Sequence, residues 1–160
     1  MYFTFSWIHG ITAARVEHAS QFPQVFEEFR GDLEDALLLA HNARFDASVM
    51  RGCFRAFAMA APRLSYLCTL QVARRVWPEL PSKGLAALAG HLGIEFRHHN
   101  AAEDARACAE VALAAARAIG ALEVADIRHR LEVWQGTHMA TKNPQGWTGP
   151  EASPISPFLA

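Results

Sequence analysis

The sequence predicts an α/β domain in which a small sheet is flanked by helices. Three observations carry this. A continuous apolar run of strand length, 36–40, and a second strand-like run after Pro62, 63–68, are both too short for helices. Around them, apolar positions recur at helical spacing, so helices alternate with strands as in an α/β sheet. At 160 residues and 51% hydrophobic composition, the chain is one domain with ample apolar surface for a packed core.

The elements follow in order. Thr12 can cap a first helix anchored by Val16, Ala19, Phe22, Phe26 and Phe29, with Pro23 splitting off an entry turn and Gly31 ending it. The strand at 36–40 leads into a helix over 44–57, with Val49, Met50, Cys53 and Phe57 spaced along one stripe. After the second strand, Thr69 caps a helix through Val76, which Pro78 and Pro81 stop. Ser82 caps another, with Leu85, Leu88, Ala89 and Leu92 on one face and Gly93 at its end. A long alanine-rich helix covers 101–119, and 122–134 reads as a further helix. Residues 136–160, rich in Gly, Pro, Ser and Thr, read as a disordered tail. Two strands alone are marginal, so the sheet is expected to be incomplete.

Composition narrows the function classes. A formal net charge of -1 removes any argument from bulk basicity, so a nucleic-acid partner must be held by a local patch or through metal ions. Cys53, Cys68 and Cys108 are widely spaced in apolar stretches, the pattern of buried free thiols in a reducing compartment, which points to the cytoplasm. No apolar run approaches the ~20 residues that span a bilayer, and Met1-Tyr2-Phe3 lacks the charged start of a signal peptide.

Two short motifs carry the chemistry. His41-Asn42-Ala43-Arg44-Phe45-Asp46 follows the first strand, and His99-Asn100-Ala101-Ala102-Glu103-Asp104 opens the long helix. Asp46 shares a stripe with Val49, Met50, Cys53 and Phe57, and Asp104 one with Cys108, Val111, Ala115 and Ile119. An acid on a core-facing stripe costs several kcal/mol unless it is paired or binds a cation. The plainer reading of each is a first-turn acid favoured by the helix dipole. Two converging carboxylates suit hard, oxygen-seeking ions such as Mg²⁺ or Mn²⁺. His99, five residues before Asp104, can take a proton from an attacking water because imidazole titrates near neutrality. His98 reads as its exposed neighbour. Asn42 can contact a substrate or simply cap the next helix, and Phe45 can face a base or close the core.

Together with Trp7-Ile8-His9-Gly10-Ile11-Thr12, these motifs resemble the DEDDh family of 3′-to-5′ exonucleases, the group that contains bacterial proofreading subunits; the resemblance runs over about 3–119. It implies a ribonuclease H-like exonuclease fold over 1–120 and a two-metal site holding Mg²⁺ or Mn²⁺ on Asp46 and Asp104. It further implies His99 as the catalytic general base, and His9, His41, Asn42 and Phe45 as the substrate-binding residues at a single-stranded nucleic-acid 3′ end. Association with a DNA polymerase is a further implication.

In that family three strands precede the Trp7–Thr12-like segment, and the first supplies an Asp-x-Glu pair. The expectation is therefore a fold lacking its first three strands, with two strands and flanking helices remaining, and a weakened metal site. Asp32-Leu33-Glu34 reads as a solvated connection and does not replace the pair. The expected function is a metal-dependent 3′-5′ exonuclease, impaired by the absent pair. The alternative is an inactive remnant that binds nucleic acid or a protein. A zinc site on His98, His99 and Cys108 lacks a fourth well-placed ligand.

Overall fold

The computed structural model describes residues 6–33, 36–133 and the backbone of 136–137. Two short helical segments, α1 (Ser6–His9) and α2 (Ala13–Val16), precede α3 (Phe22–Leu33). Strand β1 (Leu37–Ala40) leads into α4 (Ala43–Ala56). Strand β2 (Ser65–Cys68) passes directly into α5 (Thr69–Val76), followed by α6 (Leu85–Leu92) and α7 (Ala101–Ala118). A 3₁₀ turn at Val124–Asp126, the short helix α8 (Ile127–Leu131) and the two-residue strand β3 (Gly136–Thr137) complete the described elements. The α/β class expected from the alternation of elements is the one observed. β1 and β2 pair in parallel, Leu37 opposite Ser65 through Ala40 opposite Cys68, and β3 pairs antiparallel to the far side of β2.

The period of two along β2 divides the core. Tyr66 and Cys68 pack with Phe26, Ala43, Phe54 and Leu64 on the side of α3 and α4. Leu67 packs on the opposite side with Val72, Ala115, Ala116 and Ile127, and beyond it Ala73, Leu85, Leu88, Ala107, Cys108 and Val111 join α5, α6 and α7. Alanines dominate the inner face of α7, which lets that helix approach α5 and α6 closely. The effect of the layering is to bring the C-terminal end of β1, the start of α4 and the start of α7 to one side of the molecule.

Phe54 anchors the α3–α4 layer. It is 1% exposed, and its ring meets Phe26 and Phe22 edge-on at centroid distances of 4.8 and 5.1 Å. Phe54→Ala is expected to lower unfolding free energy by roughly 3–5 kcal/mol through lost burial and the cavity left behind. A denaturant midpoint within experimental error of the wild type would refute this account of the layer.

The first helical stretch divides as expected into a short entry segment, α2, and a helix proper, α3, with Pro23 in the first turn of α3, where its missing N–H would have no helical acceptor. Other boundaries depart from the sequence expectations for local reasons. Gly31 does not end α3, which continues to Leu33 and so includes Asp32 and Leu33; Glu34 lies outside the described residues. Asn42 is no side-chain cap. It sits at φ 67°, ψ 48°, the left-handed region that Asn tolerates, and makes no capping bond. Thr69 is the first residue of α5 and not its cap, and its hydroxyl is used elsewhere. The stretch expected as one helix over 122–134 is a 3₁₀ turn and a five-residue helix. A third strand, absent from the expectation, falls at Gly136–Thr137; the tail expected over the rest of 136–160 lies outside the described residues.

Candidate active site

The first motif makes a sharp turn out of β1. His41 follows the last strand residue, Asn42 takes the left-handed conformation, and α4 begins at Ala43, which is buried against the core. This places Phe45 and Asp46 in the first turn of α4, where an acid is also favoured by the helix dipole. The second motif makes a similar entry. His99 has φ 67°, and Asn100 caps α7 by accepting a hydrogen bond from the Glu103 N–H at 3.2 Å, which puts Asp104 in that helix's first turn.

The two helix starts face a shared cleft of about 480 Å³. Ala40, His41, Asn42, Phe45 and Asp46 line it from β1 and α4; His98, Ala101, Asp104, Ala105 and Cys108 line it from α7 and its entry loop, and Leu39 and Leu85 complete the lining. Asp46 and Asp104 therefore open on one space although 58 residues separate them (104 minus 46).

Asp46 is exposed as a residue, but the partial desolvation of its carboxyl at the cleft pushes it above the ordinary carboxylate range, an effect partly offset by its own backbone N–H and by nearby His41. Asp104 is held differently. Its Oδ1 lies 2.9 Å from His98 Nδ1, which donates to it. The same carboxylate field reaches further: Asp46 contributes to raising the Tyr66 hydroxyl and the Cys108 thiol, both raised chiefly by burial.

The raised Asp46 fixes the sign of a pH trend. An acid whose folded value lies above its unfolded one contributes stability below the unfolded range, and that contribution is lost as pH rises through the folded value. In cation-free buffer the melting temperature of wild type relative to Asp46→Asn is therefore expected to fall as pH rises through the folded value, whatever constant offset the first-turn helix dipole adds. A difference that grows in favour of wild type over that range would contradict the raised carboxyl.

Behind the cleft wall lies a buried polar knot. Thr69, fully buried, has its Oγ1 3.0 Å from His41 Nδ1, 3.3 Å from Cys108 Sγ and 3.5 Å from the Ala40 carbonyl oxygen. Burial lowers the His41 imidazole below its ordinary value, while the Lys83 backbone and the Asp46 carboxylate act in the opposite direction. Among the described residues, none makes a hydrogen bond to the buried His41 Nε2.

The sequence-expected residues thus divide. Asp46, Asp104, His41, Asn42 and Phe45 line the cleft, and Phe45 is 64% exposed, so it does not close the core. His99 is not among the lining residues; its ring stacks on that of His98 with centroids 4.0 Å apart. His9, at the end of α1, accepts a hydrogen bond from the Ile11 N–H at 3.0 Å and also lies outside the lining. His98, read from sequence as a mere neighbour, faces the cleft and holds Asp104. Spacing could not separate two adjacent histidines on one loop. Cys108 and Thr69 were also missed as site neighbours, although Cys108, one turn beyond Asp104 on the same stripe, carried a signal in the helical period.

Among the described residues no group of three or more His, Cys, Asp or Glu side chains is assembled to hold a metal ion. The two carboxylates that line the cleft are of the chemistry that suits a hard cation retaining several waters. No helix among the described residues is long and apolar enough to cross a membrane.

The chain is 34% identical over 93 residues to the PolC-type DNA polymerase III of Streptococcus pneumoniae serotype 2 strain D39, covering 58% of this chain and 6% of that protein. It is 37% identical over 109 residues to the PolC-type DNA polymerase III of Thermotoga maritima, covering 68% and 8%. A protein of Mycobacterium tuberculosis strain CDC 1551 / Oshkosh, whose name describes a bifunctional exonuclease/endonuclease, is 38% identical over 114 residues, covering 69% and 18%. The chain thus spans between 6% and 18% of the lengths of these relatives. No solved structure matches significantly. The sequence profile of the RNase T exonuclease family matches residues 4–112, which include both motifs and every residue lining the cleft, and the chain belongs to that family of nucleases.

Proposed function

We propose that the domain is a metal-dependent 3′-5′ exonuclease of the DEDDh type that hydrolyses phosphodiester bonds at single-stranded nucleic-acid 3′ ends. The observation that carries the reading is the meeting of Asp46 and Asp104, from two separate motifs, on one cleft within the family match. Asp46 and Asp104 would hold Mg²⁺ or Mn²⁺, which supply Lewis acidity at the scissile phosphate when bound. Two carboxylates balance only half the charge of two divalent cations, so affinity for the second ion, and with it turnover, is expected to be low in this 160-residue chain.

The remaining roles fall to the chain's own side chains. His99 is proposed as the general base for the attacking water, on the strength of its position five residues before Asp104. A second assignment is favoured by a specific observation: His98 lines the cleft and is oriented by Asp104, the base-and-orienter arrangement that activates nucleophiles elsewhere. Phe45, exposed at the rim, offers a face on which a base can stack, and Asn42 and His41 offer polar contacts to the terminal nucleotide. His9 is proposed to contact the same nucleotide from the α1 side. PolC-type relatives are DNA polymerases by name, which supports a replicative setting in the cytoplasm and association with a polymerase.

Direction and chemistry are tested together by incubating the chain with single-stranded DNA labelled at its 5′ or its 3′ end, in Mn²⁺, Mg²⁺ or chelator. The reading predicts a ladder of shortened products from the 5′ label, immediate mononucleotide release from the 3′ label, and neither in chelator. Retention of DNA on the domain with no hydrolysis in either metal would favour the alternative, an inactive module that binds nucleic acid.

A further inference from the structure

Thr69 lies behind the cleft wall, and its hydroxyl joins residues from both sides of the cleft. It is fully buried at the start of α5, yet its three neighbours come from the site: the Ala40 carbonyl and His41 from the end of β1, and Cys108 from α7, one turn beyond Asp104. A hydroxyl has one proton to give. His41 Nδ1 at 3.0 Å is well within hydrogen-bonding range, whereas the Ala40 oxygen at 3.5 Å is at its limit. The Cys108 thiol, a weak donor, can spend its proton on the remaining Thr69 lone pair.

Giving the Thr69 proton to His41 Nδ1 fixes the neutral ring with its own proton on Nε2. That atom is buried, on a residue that lines the cleft, and makes no hydrogen bond among the described residues, although the Lys83 backbone lies near the ring. A buried N–H left unpaired is costly and rare, so it points to an acceptor that arrives with a ligand. In a cleft that takes a nucleic-acid end, the acceptors on offer are phosphate and sugar oxygens.

We infer that Thr69 is a positioning residue: its hydroxyl locks His41 in the Nε2–H tautomer, so that His41 donates a hydrogen bond to a phosphate or sugar oxygen of the bound terminal nucleotide. The inference deepens the nuclease reading and rests on it for the identity of the ligand. The tautomer itself does not depend on that reading.

Nitrogen-15 NMR of the histidine rings reads the tautomer directly in the 160-residue chain. Wild type and Thr69→Ser are expected to show His41 protonated at Nε2, and Thr69→Val, which keeps the shape and loses the proton donor, is expected to lose that single-tautomer signature. Addition of a thymidine 5′-monophosphate probe should shift the Nε2 proton in wild type and Thr69→Ser. In the nuclease assay Thr69→Val should raise KM roughly tenfold with kcat little changed, as for loss of a ground-state contact, and Thr69→Ser should restore it. A wild-type ring protonated at Nδ1 overturns the inference even if Thr69→Val fails to fold. A wild-type Nε2–H unmoved by the nucleotide, or a Thr69→Val enzyme with unchanged KM, also overturns it. If instead wild type binds the nucleotide through Nε2–H but cleaves no DNA, the nuclease reading fails and the role of Thr69 stands.

Discussion

Asp104→Asn is expected to lower Mn²⁺-supported nucleotide release by roughly 10³-fold or more, because a bound divalent cation contributes several kcal/mol of charge stabilisation at a scissile phosphate. The substitution keeps the side-chain shape and can retain an interaction with His98, so the fold of α7 should be undisturbed. Asp46→Asn should act in the same way from the other wall of the cleft. The check is initial velocity on 5′-labelled single-stranded DNA, with circular dichroism of each variant as the control for folding. Near wild-type velocity in a folded Asp104→Asn protein would remove Asp104 from the cation site.

The second large effect separates the two histidines. His99→Ala is expected to lower kcat by roughly 10² to 10⁴ while leaving cation binding intact, the cost of losing a general base. His98→Ala should then have the smaller effect, since in this reading it orients Asp104 through their 2.9 Å contact. The outcome is informative either way. If His98→Ala carries the large loss and His99→Ala is near wild type, the proton acceptor is the histidine already facing the cleft, and the stacked His99 ring serves to pack it.

How much of this was legible in the sequence depended on how local each determinant was. The stripe of Asp104, Cys108, Val111 and Ala115 was readable because α7 is long, capped by Asn100 and buried along one face, and Cys108, Val111 and Ala115 are indeed buried. The stripe proposed for Asp46 was less faithful. Val49 and Phe57 are exposed, and α4 turns Ala43 and Phe54 to the core instead, because its orientation is set by the aromatic cluster with α3. That packing is between elements and leaves no mark in the period of one helix.

The same distinction explains the rest. Thr69 carried a cap-like signature, but its hydroxyl found partners 28 and 39 residues away, which no local rule anticipates. β3 is two residues long and owes its existence to pairing with β2. That the two motifs line one cleft was expected from the family resemblance and the chemistry of paired carboxylates; the stripe argument held for Asp104 but not for Asp46, which is exposed.

The central claim is that Asp46 and Asp104 form one cation site, and Mn²⁺ binding measures it most directly. Titration of the wild-type chain, Asp46→Asn, Asp104→Asn and the double variant, followed by the electron paramagnetic resonance of free Mn²⁺, should show that either single substitution weakens the same tightest site at least tenfold. The double variant should then lose little more than the first substitution already cost, because residues that act as a unit are not additive. Independent, additive losses from the two substitutions, or Mn²⁺ affinity unchanged in either, would contradict a shared site.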